Sequence, residues 1–464
     1  MVGLCAAMML ARDGHQVTVL ERDDAPVPAD PDTAWKEWER RGVNQFRLLH
    51  FLLSRSRVVL DAELPEVLSG LRAAGALSFN PLRDAPAEIT GGYREEDARF
   101  EAVTARRPVA ESVVGRAAAS TPGLEVRRGV SVKGLLTDGV GNGDAVHVTG
   151  VVTDTGERIE ADLVIDSGGR RSALPDWLRE AGGRGPVEER DECGFVYYGR
   201  HFRSADGSLP FMLGGPLQHY ESMSILTLPA DNGTWGIGLI ASAKDTEARA
   251  FRDAERWATA VRSYPLVAHW LDGEPIDDGV AMMAKIEDRH RQYCVDGVPV
   301  ATGVLAVGDA WACTNPSVGR GISIGLVHAV ALRDTLRDVG LGDLRELALA
   351  FDRATAAEVE PWYRATLAFD RHRLAEIEAE MAGELYETDD PSWHLSKCLE
   401  GAAGRDPDLL RGMLGIVGLL DTPEAVFSRP GFVERAVSIG EPLLGEARPG
   451  PTRAELVEIM RAAA

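Results

Sequence analysis

The spacing of apolar residues changes rhythm along the chain, and each change marks an element. From Gly3 to Arg12 small and apolar residues run together as in a closely packed helix. Asp13-Gly14 stops that helix, because Gly14 can take a positive φ. Gln16 to Leu20, with the β-branched and apolar run Val17 to Leu20, then predicts a buried parallel strand ending at Glu21. After a Pro/Asp-rich loop (23–33), Leu and Val recur at helical spacing from His50 to Leu64. Pro108 fits the first turn of a helix over 109–121, where its missing N–H is harmless. His147 to Thr153 and the segment from Glu157 flank the turn Asp154-Thr155-Gly156, and Asp162 to Asp166 adds another apolar strand.

Residues 194–241 are β-like over Phe195 to Phe202, Ser222 to Leu228 and Thr234 to Ala241, with Asn232-Gly233 as a tight turn. A short buried strand, Val304 to Val307, stops at Gly308-Asp309, and a loop through Asn315-Pro316 leads to a Gly-rich helix start. Beyond residue 345 the pattern is helical (Glu346 to Glu358, Trp362 to Gly383, Pro407 to Leu420). Glu–Arg spacings of three or four there suit solvated faces. Covering the neighbouring domain, or self-association, is the expected work of this region.

These elements predict an α/β protein: a Rossmann-like domain, a mixed or antiparallel β-sheet domain and a C-terminal helical region. The length of 464 residues suits two or three domains. The expected division is 1–80, 100–185 and 285–345 for the first, 81–99 and 186–284 for the second, and 346–464 for the helices. At 45% apolar residues the chain is globular, and a net charge of −22 argues against nucleic acid and anionic membranes as partners. No apolar stretch approaches the roughly 20 residues of a membrane span. The apolar start lacks the basic flank of a signal peptide. Cysteines 5, 193, 294, 313 and 398 show no paired spacing, so neither disulfides nor a metal site is expected. A reducing cytoplasm follows.

The segment 303–325 carries the most chemistry. A helix opening after Pro316 presents unpaired N–H groups and a partial positive charge, which suit an anion or an electron-rich ring edge. The Asp309 carboxylate at the strand tip suits a polyol hydroxyl. No Ser-His-Asp, zinc-ligand or P-loop pattern occurs, and no residue stands out as general acid or base.

Gly308, Asp309, Pro316, Gly319 and Gly321 resemble the second flavin fingerprint of the class A FAD-dependent monooxygenases, the superfamily of aromatic hydroxylases, geranylgeranyl reductases and flavin halogenases. The resemblance implies that Gly308-Asp309 holds the ribityl chain of FAD and that Pro316 and the glycines pack beside its ring. Gly3 and Glu21, with the adjacent Arg22, fit the back half of the dinucleotide fingerprint, in which the acid takes the adenosine ribose hydroxyls. The front half is absent, so the chain as given is expected to lack roughly ten residues, a strand and a Gly-x-Gly turn. The family also implies arginines on the FAD, for which Arg47 and Arg107 are the candidates, Arg106 leaving the second choice open. In the third fingerprint Gly169 and Ser172 match, but Gly168 stands where the family has Asp. That departure puts direct NAD(P)H docking in doubt, Asp166 being too early to replace it, and favours reduction by a separate flavin reductase.

The implied function is a FAD-dependent monooxygenase that passes one oxygen atom from a flavin hydroperoxide to a small organic substrate. Tyr197, Tyr198, His201, Met212 and Trp235 are candidates for the substrate wall. A halogenase would need Trp-x-Trp-x-Ile-Pro, which is absent; Trp35 and Trp38 stand in another context. A flavin-dependent reductase or cyclase of isoprenoid type shares the fingerprint, and a silent scaffold that has lost FAD is the alternative from another class.

Overall fold

The computed structural model describes residues 1–83, 85–140 and 145–463. In chain order its framework is helix α1 (Val2–Arg12), strand β1 (Val17–Glu21), helix α2 (Arg107–Ala119), strand β2 (Leu124–Arg128), the antiparallel pair β3 (Val132–Val140) and β4 (Val146–Thr153), and strand β5 (Val164–Asp166). Strands β6 (Phe195–Arg203), β7 (Met223–Pro229) and β8 (Thr234–Ser242) follow, then β9 (Val304–Ala306) and helices α3 (Gly321–Val339), α4 (Glu360–Ala382), α5 (Pro391–Ala403) and α6 (Pro407–Val417).

The parallel part of the fold comes in two halves. β1 pairs with β2, Val19 opposite Val126, and β5 pairs with β9, Ile165 opposite Leu305. Among the described residues no strand joins the halves. Val17 to Leu20 and Leu163 to Ser167 line one cavity instead. Helix α1 lies over this interruption and buries Met8 and Met9 in a core shared with Val113 of α2 and Leu326 of α3. Its close seating depends on Gly3: a Cβ there would sit 2.2 Å from Ser167 Oγ. Gly14, at φ 93°, ends α1 as the sequence implies.

The other sheet is antiparallel and six-stranded, with β7, β8 and β6 at its centre. Asn232 and Gly233 (φ 52° and 66°) make the turn into β8. Trp235, Trp257, Trp270 and Tyr264 fill the core behind it, joined by Leu456 and Met460 from the last helix, Arg453–Ala462.

Several element boundaries differ from the sequence reading, for identifiable reasons. The helix expected from His50 begins at Ser54, because Leu52 instead exchanges two backbone hydrogen bonds with Val103. Helix α2 starts at Arg107, which puts Pro108 in the first turn. Helix α6 ends at Val417 rather than Leu420, since Leu419 takes φ 57°. Among the described residues no helix is long and apolar enough to cross a membrane.

Candidate functional site

A single cavity of about 2300 Å³ runs between the two parallel halves, the antiparallel sheet and the C-terminal helices. Its volume is about twice that of the larger pockets that hold one drug-sized ligand. Glu21 at the tip of β1 and Asp309 just after β9 both lie on its wall.

Around Glu21 the charges form a connected chain. Arg40 donates to Glu21 (2.5 Å) and Glu111 (2.7 Å) and pairs with Asp23 (2.8 Å). Arg107 donates to the other oxygen of Glu111 (2.5 Å) and to His50 Nε2 (2.9 Å). Burial pushes the Glu111 carboxyl up, but Arg107, the Met1 amino group and Arg40 outweigh it and hold it at about 2. His50 is held down to about 3 by burial and by Arg107, so the ring is neutral. Its Nδ1–H then donates to Leu48 O, leaving Nε2 to accept from Arg107. Glu21 also accepts from Asp23 N (3.0 Å), and its carboxylate keeps acceptor capacity beyond these two bonds.

At the other end, Gly308 and Gly319 adopt φ 63° and 68°, which bend the chain around Asp309 and toward the start of α3. Asp309 is exposed to the cavity, with protein walls on all sides lowering its solvation. That desolvation raises its carboxyl pKa, and Arg107 opposes the shift. Helix α3 has no side-chain cap at its N-terminus, and Arg320, Gly321 and Ile322 line the cavity. Its first N–H groups therefore remain free for a ligand.

The conformation of Gly308 rests on a residue that the sequence did not reveal. His328, fully buried in α3, accepts the Gly308 N–H at Nδ1 (3.2 Å), donates from Nε2 to Thr355 (3.1 Å) and stacks on Phe351. Burial holds its pKa down to about 3, against an ordinary value of 6.5. Protonation is thus taken up by the unfolded chain first. The stability this ring contributes is complete above about pH 6.5 and is lost progressively as pH falls toward 3. Urea unfolding of His328→Asn is expected to show a shallower loss of stability between pH 6.5 and 4.5 than the parent chain; parallel slopes would refute the assignment.

The structure brings together Gly3, Glu21, Arg22, Arg107, Gly308, Asp309, Pro316, Gly319 and Gly321 on this cavity. It does not bring Arg47 there: that guanidinium donates to Trp38 O (2.8 Å) and lies over the Trp35 ring. Arg106 is also excluded, being locked in a buried pair with Asp231, so of the two neighbouring arginines Arg107 faces the site. Tyr197, Tyr198 and Met212 line the cavity. His201 instead packs on Trp35, and Trp235 donates to Trp270 O within the core. Asp166 lines the cavity beside Gly168, where a Cβ would sit 3.0 Å from its Oδ1; its carboxylate accepts from Gly168 N (2.9 Å) and from Ser172 Oγ. Sequence reasoning missed Arg40, His50, Glu111 and His328. Only Glu111 had a local signal, its spacing of four from Arg107 on one helix.

No family model matches the chain. It is 28% identical over 459 residues to Protein Rv3254 of Mycobacterium tuberculosis, an alignment covering 94% of this chain and 91% of that one. Among solved structures, PqsL, a probable FAD-dependent monooxygenase from Pseudomonas aeruginosa, superposes with a TM-score of 0.59 at 17% identity, over 82% of this chain and 96% of that one. OxyS, the anhydrotetracycline hydroxylase from Streptomyces rimosus, superposes with a TM-score of 0.57 at 20% identity, over 91% and 74% of the respective chains. The protein has the fold of the FAD-dependent monooxygenases: an α/β fold with a Rossmann-like part, an antiparallel sheet and a helical C-terminal region.

Proposed function

We propose that the cavity binds FAD and that the protein is a monooxygenase, an oxidoreductase inserting one oxygen atom into an organic substrate. The observation that carries this reading is the shared cavity of Glu21 and Asp309, two acids distant in the chain that the fold sets on one wall system with the uncapped start of α3. The residues present fit the cofactor. Glu21 would take the adenosine ribose hydroxyls, Arg107 a phosphate, and Asp309 the ribityl hydroxyls, while Gly308, Pro316, Gly319 and Gly321 permit close approach of a flat ring. The N–H groups at the start of α3 favour negative charge on the adjacent edge of that ring. Bound flavin supplies the activation of dioxygen and the transfer of one of its atoms; the chain supplies position, polarity and exclusion of water.

The domain division at 1–80, 100–185 and 285–345, at 81–99 and 186–284, and at 346–464 carries over with this reading. Gly168 replaces the family acid, which supports reduction by a separate flavin reductase rather than by directly docked NAD(P)H. The unpaired spacing of the five cysteines in the sequence is the ground for a reducing cytoplasm.

The test is a titration of the purified protein with FAD, followed by quenching of flavin fluorescence. Saturable binding is expected, weakened roughly 10- to 100-fold in Asp309→Ala, as for loss of a hydrogen bond to a charged group. A colourless protein that takes up no FAD would mean a scaffold. Oxygen uptake with hydroxylated product, against saturation of a double bond without oxygen, separates a monooxygenase from a reductase or cyclase.

A further inference from the structure

We propose that the part of the cavity walled by the antiparallel sheet and helices α5 and α6 binds a bulky, uncharged, largely hydrocarbon molecule of several rings. The proposal rests on the flavin reading, which assigns the opposite part of the cavity to the cofactor and so leaves this part for the substrate.

Charge is distributed very unevenly over the cavity wall. Among the described residues, the charged side chains on it belong to positions 21–171 and 287–320, with two exceptions. Those two, Glu400 on α5 and Arg448, neutralise each other through a hydrogen bond of 2.9 Å. His219, on the same wall, is held well below its ordinary pKa by burial and is uncharged. Most of the remaining wall is apolar, including Leu226 and Leu228 of β7, Leu399 and Ala403 of α5, and Met413 and Ile416 of α6. The antiparallel sheet and helices α5 and α6 themselves offer a small carboxylate or phenolate no unpaired cation, so its loss of water against them would cost several kcal/mol. An apolar molecule gains in proportion to the surface it buries.

The mouth points the same way. Ile89, Phe211, Leu213 and Val417 all line the cavity, and all are exposed, Phe211 by 74%. They come from three separate segments of a chain carrying a net charge of −22, and exposed apolar side chains lining a cavity suit an apolar ligand. The cavity volume also exceeds what one ordinary ligand fills.

The probe is Nile red, an uncharged four-ring dye whose emission rises on transfer to an apolar site, titrated into the full chain with and without saturating FAD. Saturable one-to-one binding is expected, unaffected by excess 4-hydroxybenzoate. Met413→Trp, which fills the compartment, should weaken it at least 10-fold. Phe211→Glu, at an exposed position where folding is not at stake, should weaken it several-fold. Neither variant should alter FAD affinity. Dye binding that is insensitive to both variants, or displaced by 4-hydroxybenzoate, overturns the proposal. If FAD binds while the dye does not, the flavin reading stands and this inference falls. If the dye binds with the expected sensitivity while FAD does not bind, the apolar site stands and the flavin reading falls.

Discussion

Arg106→Ala destabilises the protein by about 3–5 kcal/mol, the range expected when one partner of a buried ion pair is removed. The side chains of Arg106 and Asp231 are both fully buried. The guanidinium meets Asp231 through Nη2 (2.6 Å) and Nε (3.1 Å), and the backbone N–H of Arg106 donates to the same carboxylate (2.8 Å). Asp231 lies in the turn before β8 and Arg106 just before α2, so the pair fastens the antiparallel sheet to the Rossmann-like part. The alanine variant leaves a carboxylate with neither water nor a cation. Denaturation in urea should show the full loss for the single variant and a smaller one for Arg106→Met combined with Asp231→Leu, which removes both charges. A loss below about 1 kcal/mol for the single variant, the size of a surface pair, would show that water reaches the site.

Asp370→Asn is expected to act in the opposite direction and to stabilise the protein above neutral pH. Asp370 sits on α4 behind the loop that carries Pro316, accepts a hydrogen bond from Ser317, and has no partner for its second oxygen. Burial pushes its carboxyl up to about 8; Ser317, the nearby Asn315 amide and Arg320 pull it down, while Asp288, itself raised to about 6 by burial, pushes it up further. The folded chain therefore holds this proton more tightly than the unfolded chain. The resulting stability is complete below about pH 3.8 and is lost as pH rises through about 8, at about 1.4 kcal/mol per pH unit. Asparagine keeps the shape and cannot ionise. Its advantage over the parent should be small near pH 4 and reach several kcal/mol at pH 8. Thermal unfolding across that interval decides the matter; curves that do not diverge with pH would mean the carboxylate is solvated or paired.

Much of the candidate site was legible because the fold's chemistry is written in local patterns. Val304 to Val307, Gly308-Asp309 and the glycines after Pro316 form one strand–turn–helix unit, and the structure reproduces it with positive φ at Gly308 and Gly319. The strand ending at Glu21 and the Asn232-Gly233 turn were equally local. What escaped was governed by distant contacts. Leu52 looked helical by spacing, but pairing with Val103 drew it into extended backbone. Arg47 had the family's position in sequence, yet Trp35 and the Trp38 carbonyl captured its guanidinium. The C-terminal helices read as solvated because their charges are spaced for it, while their other faces, Leu399 and Met413 among them, close the cavity.

Taken alone, the sequence determined the class of fold, the position of the loop and helix start suited to a flavin, and the two acids suited to sugar and polyol hydroxyls. Spacing, glycine placement and an acid at a strand tip follow from local backbone geometry, so they survive without knowledge of the rest of the chain. Only the tertiary structure decided that Arg107 rather than Arg106 or Arg47 faces the cavity, that His328 supports Gly308, and that the far wall carries no uncompensated charge. Those outcomes depend on which side chains share a desolvated space, and burial sets both their partners and their protonation.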